Sequence, residues 1–402
     1  MTAVTPPNAP LREHFVLPAG RIYLNGNSLG PLPKLARERL HRVIDAEWGQ
    51  HIVSGWNQAG WVDLPQRVGN KLGALIGAAR GQVVVCDSTS VNILKLLHAA
   101  LSWHPQRRVL LLEEQAFPTD NYMAQGLRQL RPDLELRPLP GSQIAAALDD
   151  SVAAVLVSHI NYRSGERLDL PSIQAQATNQ GIPIVWDLAH SAGAVPLDLD
   201  SWGVDYAVGC GYKFLNGGPG APAFAYVAQR HQAQLQPLLS GWFGHARPFA
   251  FEPDYQPAAD INRLQVGTPP ILSMSALDAA LDVFASQSIH QLWQQSCALF
   301  ERLLQALEAD PVFDECELLT PRAPEARGSQ LSLHHPEAYA ICRALAADDV
   351  IADYREPGIL RLGLAPAYLR ADDVDQAAAL LLRILREQRW RDPAFQTRLK
   401  VT

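Results

Sequence analysis

The chain has 402 residues, of which 48% are hydrophobic, and its formal net charge at pH 7 is −7. This length and apolar content predict a globular protein with two or three domains around a sizeable buried core. The negative charge, without any block of lysine or arginine, argues against a nucleic acid or an anionic membrane surface as the partner and favours a small-molecule substrate.

The sequence shows no pattern typical of a membrane span or an export signal. No uninterrupted apolar stretch reaches the roughly 20 residues that cross a bilayer, and the opening, MTAVTPPNAPLREHF, lacks the charged-then-apolar layout of a signal peptide. The five cysteines are widely spaced and form no C-x-x-C motif, which indicates neither a disulfide framework nor a zinc site. We expect a cytoplasmic protein with reduced thiols and no bound metal.

The first predicted unit is an N-terminal arm followed by a helix. The arm is irregular and Pro-rich up to YLNGNSLGPLP (residues 23–33), where Asn, Gly and Ser favour turns and Pro33 suits a helix start. Apolar residues then recur at helical spacing over residues 34–48, and SGWNQAGW (residues 54–61) is predicted to be an aromatic loop. We assign residues 1–50 to this arm and helix and group them with the smaller domain described below.

Short apolar runs alternate with helical segments over residues 51–285. Predicted strands begin at Val83, Arg108, Val152 and Ile182 and near Asp205 and Pro222, with helices near 91–101 and 170–179. This alternation predicts an α/β domain with a mostly parallel sheet, because parallel strands need crossover connections. Two long helices, with the strand candidates SQLSLHH and ILRLGLA between them, then predict a separate α+β domain over residues 286–402.

Polar residues follow several of the predicted strands. In open parallel sheets ligands bind beyond the carboxyl ends of the strands, so these residues are candidates for a site. Thr89 and Ser90 in CDSTSVN are either helix caps or hydroxyl donors to a phosphate at a helix N-terminus. The ends EEQAFPTDNY, with Phe117 and Asp120 on a predicted loop, and SHINYRSG are weaker signals by themselves.

Asp187 and Lys213 carry the strongest signal. IPIVWDLAHSAG places Asp187 at the end of a very apolar strand, with His190 three residues further on. A buried carboxylate is unfavourable unless it is paired, so Asp187 is either a helix cap or the partner of a bound heterocyclic cation. The next strand, DYAVGCGYKF, brings Lys213 to the same edge of the sheet. A lysine for a Schiff base, an acid for a pyridine nitrogen and a phosphate site together predict pyridoxal 5′-phosphate as the cofactor.

The motifs around these residues resemble those of the kynureninases, a family of fold-type I pyridoxal-phosphate enzymes. The resemblance extends over nearly the whole chain, and its most specific parts are GNSLG, DLAH, YKFLN and GWFGH, in this order. It implies a transferase-like large domain that binds the cofactor, a smaller C-terminal domain and an amino-acid substrate. It also implies a homodimer with active sites at the subunit interface.

The resemblance implies a role for each matching position. Lys213 forms the Schiff base, Asp187 pairs with the pyridine nitrogen, and Tyr212 contacts the phosphate and is our candidate for moving protons. Arg361 holds the substrate α-carboxylate, which suits the two-pronged guanidinium group. The other implied cofactor contacts are Phe117, stacked on the ring, with Thr89, Ser90, Pro118, Thr119, Asp120, Ser158 and His190, and with Trp242 and Thr268 from the neighbouring subunit; Ser28 and Trp56 are implied substrate contacts.

The implied reaction is the hydrolytic cleavage of L-kynurenine, or its 3-hydroxy derivative, to anthranilate (or 3-hydroxyanthranilate) and L-alanine, in tryptophan catabolism. The preference between the two substrates stays open, because Trp56 and Thr268 differ from the residues of some family members. Another fold-type I enzyme, a cysteine desulfurase or an aminotransferase, also stays open. A desulfurase needs a mobile catalytic cysteine, and the C-terminal part offers Cys316 and Cys342 without an evident Gly/Ser-rich loop. A non-enzymatic regulator built on this fold is the third alternative.

Overall fold

The computed structural model describes residues 11–399, and its largest feature is a seven-stranded sheet. The strands are β1 (Val83–Val85), β2 (Val109–Glu113), β3 (Glu135–Leu139), β4 (Val152–Ser158), β5 (Ile184–Asp187), β6 (Tyr206–Cys210) and β7 (Ala223–Val227). Their order across the sheet is β1-β7-β6-β5-β4-β2-β3. Strands β2 to β6 are parallel to one another, whereas β7 is antiparallel to both β1 and β6. The predicted α/β class with a mostly parallel sheet is confirmed.

Helices cover both faces of this sheet. The α-helices within residues 11–399 are α1 (Lys34–Arg42), α2 (Gly55–Gln58), α3 (Leu64–Leu75), α4 (Thr89–Leu101), α5 (Pro118–Leu130), α6 (Leu170–Asn179), α7 (Gln229–Gln232), α8 (Ile271–Leu281), α9 (Ile289–Glu308), α10 (Ala338–Ala347), α11 (Ala371–Arg386) and α12 (Pro393–Gln396). Val84 packs into the core that contains α4 and α5, while Val83 and Val85 pack into the core that contains α3 and α6. Every residue of β4 is buried, as expected for a central strand covered on both faces.

The C-terminal part forms a smaller α+β unit. Its antiparallel sheet contains β8 (Glu317–Leu318), β9 (Gln330–His334), β10 (Asp353–Arg355) and β11 (Ile359–Gly363), in the order β8-β9-β11-β10. Helix α9 begins at a capping box formed by Ser288 and Gln291 and packs against α11. The N-terminal segment contacts both units, because Ile22–Tyr23 pairs in parallel with Val350–Ile351 and α1 packs against α8.

Three local predictions differ from the structure. EEQAFPTDNY is not all loop, because α5 begins at Pro118 and places Asp120 in its first turn; proline suits that position, where its missing N–H removes no helical hydrogen bond. Residues 34–48 are α-helical only as far as Arg42, after which the turns widen and the Gly49 N–H bonds the Ile44 carbonyl. The aromatic stretch 54–61 contains the short helix α2. None of the helices in the described range combines the length and the apolar character needed to span a bilayer.

Candidate active site

A cavity of about 470 Å³ lies where the carboxyl ends of the parallel strands meet the small unit. Ligands of open α/β sheets bind at this edge. Of the predicted site residues, those that line the cavity are Ser28, Thr89, Ser90, Phe117, Thr119, Asp120, Ser158, Asp187, His190, Tyr212, Lys213 and Arg361. The fold therefore brings most of the candidate residues together from seven separate parts of the sequence.

Lys213 reaches the cavity from the turn after β6. Its Nζ lies 2.9 Å from Nε2 of His190. Burial, reinforced by the charge of Lys213, lowers the pKa of His190 well below its usual value, so the imidazole is neutral near pH 7. A neutral imidazole nitrogen can accept a hydrogen bond from the lysine, which holds the ammonium or amine in one place.

Carboxyl groups cluster on the same side of the cavity. Asp187 ends β5, and its Oδ1 accepts a hydrogen bond of 2.8 Å from the Ala189 N–H. Burial raises the pKa of Asp187, while the charge of Lys213 opposes that shift. The pKa of Asp120 is also raised well above its usual value, first by burial and then by the charges of Asp187 and Glu113. This side of the cavity is suited to a bound cation.

Two arginines from the small unit form another part of the cavity wall. Arg361 on β11 is 1% exposed, pairs with Asp353 and donates a hydrogen bond of 2.6 Å to the Tyr162 carbonyl oxygen. Arg355 binds the same Asp353 at 3.0 Å, and its Nη2 lies 3.5 Å from Oγ of Ser28. Because two guanidinium groups share one carboxylate, this side keeps a net positive charge and is suited to an anionic group such as a carboxylate.

The start of α4 forms a third part of the cavity wall. Ser88 caps the helix, since its Oγ accepts a hydrogen bond from the Val91 N–H at 3.4 Å. The capping function therefore falls to Ser88, and Thr89 and Ser90 are not needed for it. Their hydroxyls stand in the first turn of α4 and line the cavity, at a helix end where free N–H groups favour an anion.

Phe117 offers an aromatic surface at the cavity. Its side chain is 46% exposed, and its ring forms a T-shaped contact with the ring of Tyr162, with the centroids 5.2 Å apart. An exposed aromatic face beside a carboxyl cluster suits stacking with a flat heterocycle.

Four buried polar atoms on the lining side chains have no hydrogen-bond partner among the described residues. They are Oδ1 of Asn27, Oδ2 of Asp120, Nδ1 of His190 and Nε of Arg361. Buried polar groups are normally satisfied, so four unpaired polar atoms around one cavity indicate a polar ligand. A lysine, a carboxyl cluster, an aromatic face and a helix N-terminus are the groups that pyridoxal 5′-phosphate and an amino-acid substrate require, so the residues present fit this cofactor.

Four predicted site residues do not line the cavity. Pro118 is the exposed first residue of α5, and Trp56 packs on Phe243 with ring centroids 6.0 Å apart. Trp242 is 38% exposed and Thr268 is exposed as well. The contacts implied for these four residues stay predictions.

Sequence reasoning missed some residues that line the cavity, among them Asn27, Asp87, Tyr162 and Arg355. Asn27 lies inside the GNSLG motif and Tyr162 inside SHINYRSG. The sequence singles out both motifs, but it does not indicate that these two residues belong to the site. Arg355 carried a usable signal. A hairpin folded around EPG pairs β10 with β11, with Asp353 opposite Arg361 and Arg355 opposite Ile359, so Arg355 lies on the same face of the sheet as Arg361.

Solved structures with the same architecture include a cysteine desulfurase and a protein with a PLP cofactor. The chain is similar to the apo structure of a cysteine desulfurase from Thermococcus onnurineus NA1, with a TM-score of 0.81 and 16% identity over 96% of this chain and 100% of the other. It is also similar to a mutant of C-DES with glycine covalently linked to its PLP cofactor, with a TM-score of 0.80 and 21% identity over 93% of this chain and 99% of the other. At these identities the likeness shows the fold alone, and it confirms the fold-type I architecture.

Sequence comparison is more specific. Residues 292–381 match the family model described as the kynureninase C-terminal domain. A kynureninase from Burkholderia pseudomallei (strain 1106a) is 48% identical over 402 residues, which cover 98% of this chain and 97% of that protein. Identity at this level over nearly the full length of both proteins agrees with the family that the motifs indicate. The chain belongs to the kynureninase family.

Proposed function

We propose that the protein hydrolyses the Cβ–Cγ bond of L-kynurenine, or of 3-hydroxy-L-kynurenine, to give anthranilate or 3-hydroxyanthranilate and L-alanine, with pyridoxal 5′-phosphate as the cofactor. The observation that carries the proposal is one cavity that gathers Lys213, Asp187 and Arg361 in a chain 48% identical to a kynureninase over 98% of its length. An amine, a buried acid and a buried guanidinium supply the covalent, electronic and carboxylate-binding functions that this reaction needs.

Each cofactor contact is assigned to a group already located in the cavity. Lys213 would form the Schiff base, Asp187 would pair with the protonated ring nitrogen, and Phe117 would stack on the ring. Thr89 and Ser90 would donate hydrogen bonds to the phosphate at the start of α4. A bound cofactor would supply an aldehyde group for the substrate amino group and an electron-withdrawing ring for the α carbon.

Lys213, oriented by His190, is the base that removes the proton of the substrate α carbon. The freed Lys213 amine takes this proton, and His190, 2.9 Å away and neutral because burial lowers its pKa, orients the amine. Burial raises the pKa of the Tyr212 phenol, so Tyr212 stays protonated near pH 7 and is able to donate a proton. Water adds to the γ carbonyl, the Cβ–Cγ bond breaks, and Tyr212 donates its proton to Cβ. The proton released by the added water restores the Tyr212 phenol, and Lys213 returns the proton that it took, which completes alanine at the α carbon.

Arg361 orients the substrate. Asp353 and the Tyr162 carbonyl oxygen occupy part of its donor set, whereas its Nε has no partner among the described residues. A substrate carboxylate at this guanidinium would hold the α carbon in one orientation toward Lys213. Fixing the reacting groups in this way removes much of the entropic part of the barrier.

We propose further that the protein works as a homodimer in the cytoplasm. Trp242 stacks on Phe251, with ring centroids 6.2 Å apart, and both side chains are exposed in this subunit, as is Thr268. A second subunit that covers these residues would bring Trp242 and Thr268 to its own cavity, as the family resemblance implies. The five free thiols support a reducing compartment, and cell fractionation would test that location.

Neither of the two C-terminal cysteines supports the competing desulfurase activity, and the thiol of Cys210, which does line the cavity, has a pKa raised by burial. Burial raises the pKa of the thiols of Cys316 and Cys342 to about 12, which makes both poor nucleophiles, and neither side chain lines the cavity. No observation therefore favours a second candidate function.

The decisive experiment offers the purified protein L-kynurenine and L-cysteine in parallel. We expect fluorescent anthranilate and alanine from the first, no sulfide from the second, and no anthranilate with Lys213→Ala. Lys71→Met, on the surface of α3 away from the cavity, is the matched control and should keep wild-type turnover. Sulfide without anthranilate would overturn the proposal, and kcat/KM for the two kynurenines would establish the preferred substrate.

A further inference from the structure

A lysine is buried inside the apolar helix α4, behind the phosphate site proposed at Thr89 and Ser90. Lys95 is 1% exposed, and its neighbours Ile93 and Leu96 are fully buried. A buried ammonium is unfavourable unless it is paired, so its partners show what the position requires.

The Lys95 ammonium joins two separate segments. It forms an ion pair with Asp87, the residue just before the capping serine of α4, and donates a hydrogen bond of 2.5 Å to the Leu264 carbonyl oxygen. Asp87 has a left-handed backbone with φ of 49°, which is uncommon for a residue other than glycine, and the ion pair helps to hold it there. The ammonium thus fixes the turn that leads into α4.

The charge of Asp87 gives this pair a second consequence. Its side chain is 27% exposed and lines the cavity, on the same wall as Thr89 and Ser90. A free carboxylate at this wall would repel a phosphate dianion through a poorly screened medium. Lys95 removes that repulsion, because its positive charge neutralises Asp87 from behind.

We propose that Lys95 is a positioning residue for the cofactor phosphate: it neutralises Asp87 and holds the start of α4 against Leu264. The inference rests on pyridoxal 5′-phosphate being the cofactor, and it adds a residue that does not line the cavity itself. It predicts an effect that depends on the phosphate and not on the pyridine ring.

The test compares pyridoxal 5′-phosphate with pyridoxal, which has the same ring and no phosphate. Dissociation constants are measured by equilibrium dialysis for the cofactor-free protein, Lys95→Met, Asp87→Asn and the double variant. Lys95→Met should weaken binding of pyridoxal 5′-phosphate about tenfold or more, the effect expected for one unpaired charge, and leave binding of pyridoxal within about twofold. Asp87→Asn in the Lys95→Met background should restore most of the lost affinity, because the uncompensated carboxylate is then gone. Lys71→Met, which breaks an ion pair with Asp278 outside the cavity, should bind both compounds normally.

Several outcomes would overturn the inference. Equal weakening for both compounds, or no recovery in the double variant, would make Lys95 a structural residue only. If Lys95→Met does not fold, the same comparison is made with Lys95→Gln and the double variant. If Lys95→Gln loses the same factor of affinity for pyridoxal 5′-phosphate as for pyridoxal, relative to wild type, the inference is contradicted. Absence of pyridoxal 5′-phosphate binding by the unchanged protein would overturn the cofactor assignment together with this inference, whereas normal binding with no response to substitution would overturn this inference alone.

Discussion

Asp120 places a buried carboxyl group in the cavity, where its charged form is unfavourable. Its carboxyl group is 2% exposed, and one oxygen lacks a hydrogen-bond partner among the described residues. Burial and the charges of Asp187 and Glu113 raise its pKa well above the usual value. A raised pKa in the folded state means that the folded protein binds the proton more tightly than the unfolded chain does. The stability that this group contributes is therefore complete below its unfolded pKa and is lost as the pH rises through the folded one.

We predict that Asp120→Asn stabilises the cofactor-free protein at pH 7.5. The amide keeps the shape of the carboxyl group without its charge, so the free energy of unfolding should rise by about 1 kcal/mol or more. The gain should shrink as the pH falls toward 4, because Asp120 in the wild type becomes protonated there. Denaturant unfolding at pH 7.5 and pH 4.5 measures both effects.

Asp150→Asn is the control for this prediction. The Asp150 side chain is fully exposed, so removal of its charge should leave the unfolding free energy unchanged at both pH values. Equal stability of Asp120→Asn and wild type at pH 7.5 would mean that the buried carboxylate is compensated in a way that the structure does not show.

The residues of the cavity differ in how far the sequence could predict them. Lys213 and Asp187 were predictable, because Asp187 is the last residue of an apolar strand, Lys213 follows the end of the next strand by three residues, and strand ends meet at one edge of a parallel sheet. Lys95 was missed because its role depends on a partner far away in the chain, Leu264, whereas Arg355 was missed although the hairpin that carries it is local in sequence. The roles assigned to Trp242 stay predictions, because they require a second subunit.

At the scale of elements, the N-terminal motif GNSLG supports the lysine loop. The Gly30 N–H donates a hydrogen bond of 2.8 Å to the Tyr212 carbonyl oxygen. A Cβ atom at position 30 would lie 2.5 Å from the Lys213 carbonyl oxygen, closer than atoms can approach without movement. The absence of a side chain at Gly30 therefore allows the two loops to touch and sets the position of Lys213.

We predict that Gly30→Ala lowers turnover about a hundredfold, because a displacement of about 1 Å at the catalytic lysine costs that much. It should also lower the free energy of unfolding by about 1 to 3 kcal/mol through overpacking. Steady-state kinetics and thermal unfolding measure the two effects.

Gly126→Ala is the matched control, because Gly126 lies inside α5 and a Cβ there would meet no atom within 4 Å. This variant should keep wild-type turnover and gain about 0.5 to 1 kcal/mol from its better helix propensity. If both alanine variants keep full activity, the contact between GNSLG and the lysine loop does not position Lys213.

Periodicity predicted most elements of the large sheet, and the exceptions have physical causes. Strand β3 was missed because it lies at the sheet edge, where its residues are partly exposed and Pro138 is tolerated. Helix α5 was missed because its first residues, Pro118 to Asp120, are also common in turns. The same residue types begin helices and form turns. Here the packing of Ala124 and Leu127 into the core distinguishes the helix from a turn.

At the scale of the whole molecule, the cavity depends on all parts of the chain. The large sheet supplies Lys213 and Asp187, the small sheet supplies Arg361, and the N-terminal segment supplies Ser28. The proposed boundaries at residues 50 and 285 stay a prediction, because the N-terminal segment contacts both units. A cavity assembled at such a junction suits a substrate whose carboxylate and reacting carbon are held by different domains.

The proposed homodimer predicts that two inactive variants restore each other. Lys213→Ala damages the cavity from its own chain, whereas Trp242→Ala is proposed to damage the cavity of the partner subunit. In a mixed dimer, one cavity combines an intact Lys213 with an intact Trp242 and the other carries both defects. Random reassembly of equal amounts should therefore give about one quarter of the wild-type number of intact cavities. Mixing the variants under conditions that allow complete subunit exchange and following anthranilate fluorescence measures this recovery.

Lys213→Ala mixed with Asp187→Asn is the control, because both residues line the cavity of their own chain and each mixed dimer keeps two damaged cavities. Recovery in the first mixture alone would support a shared site; recovery in neither, with exchange verified by mass spectrometry of tagged subunits, would contradict a contribution of Trp242 across the interface.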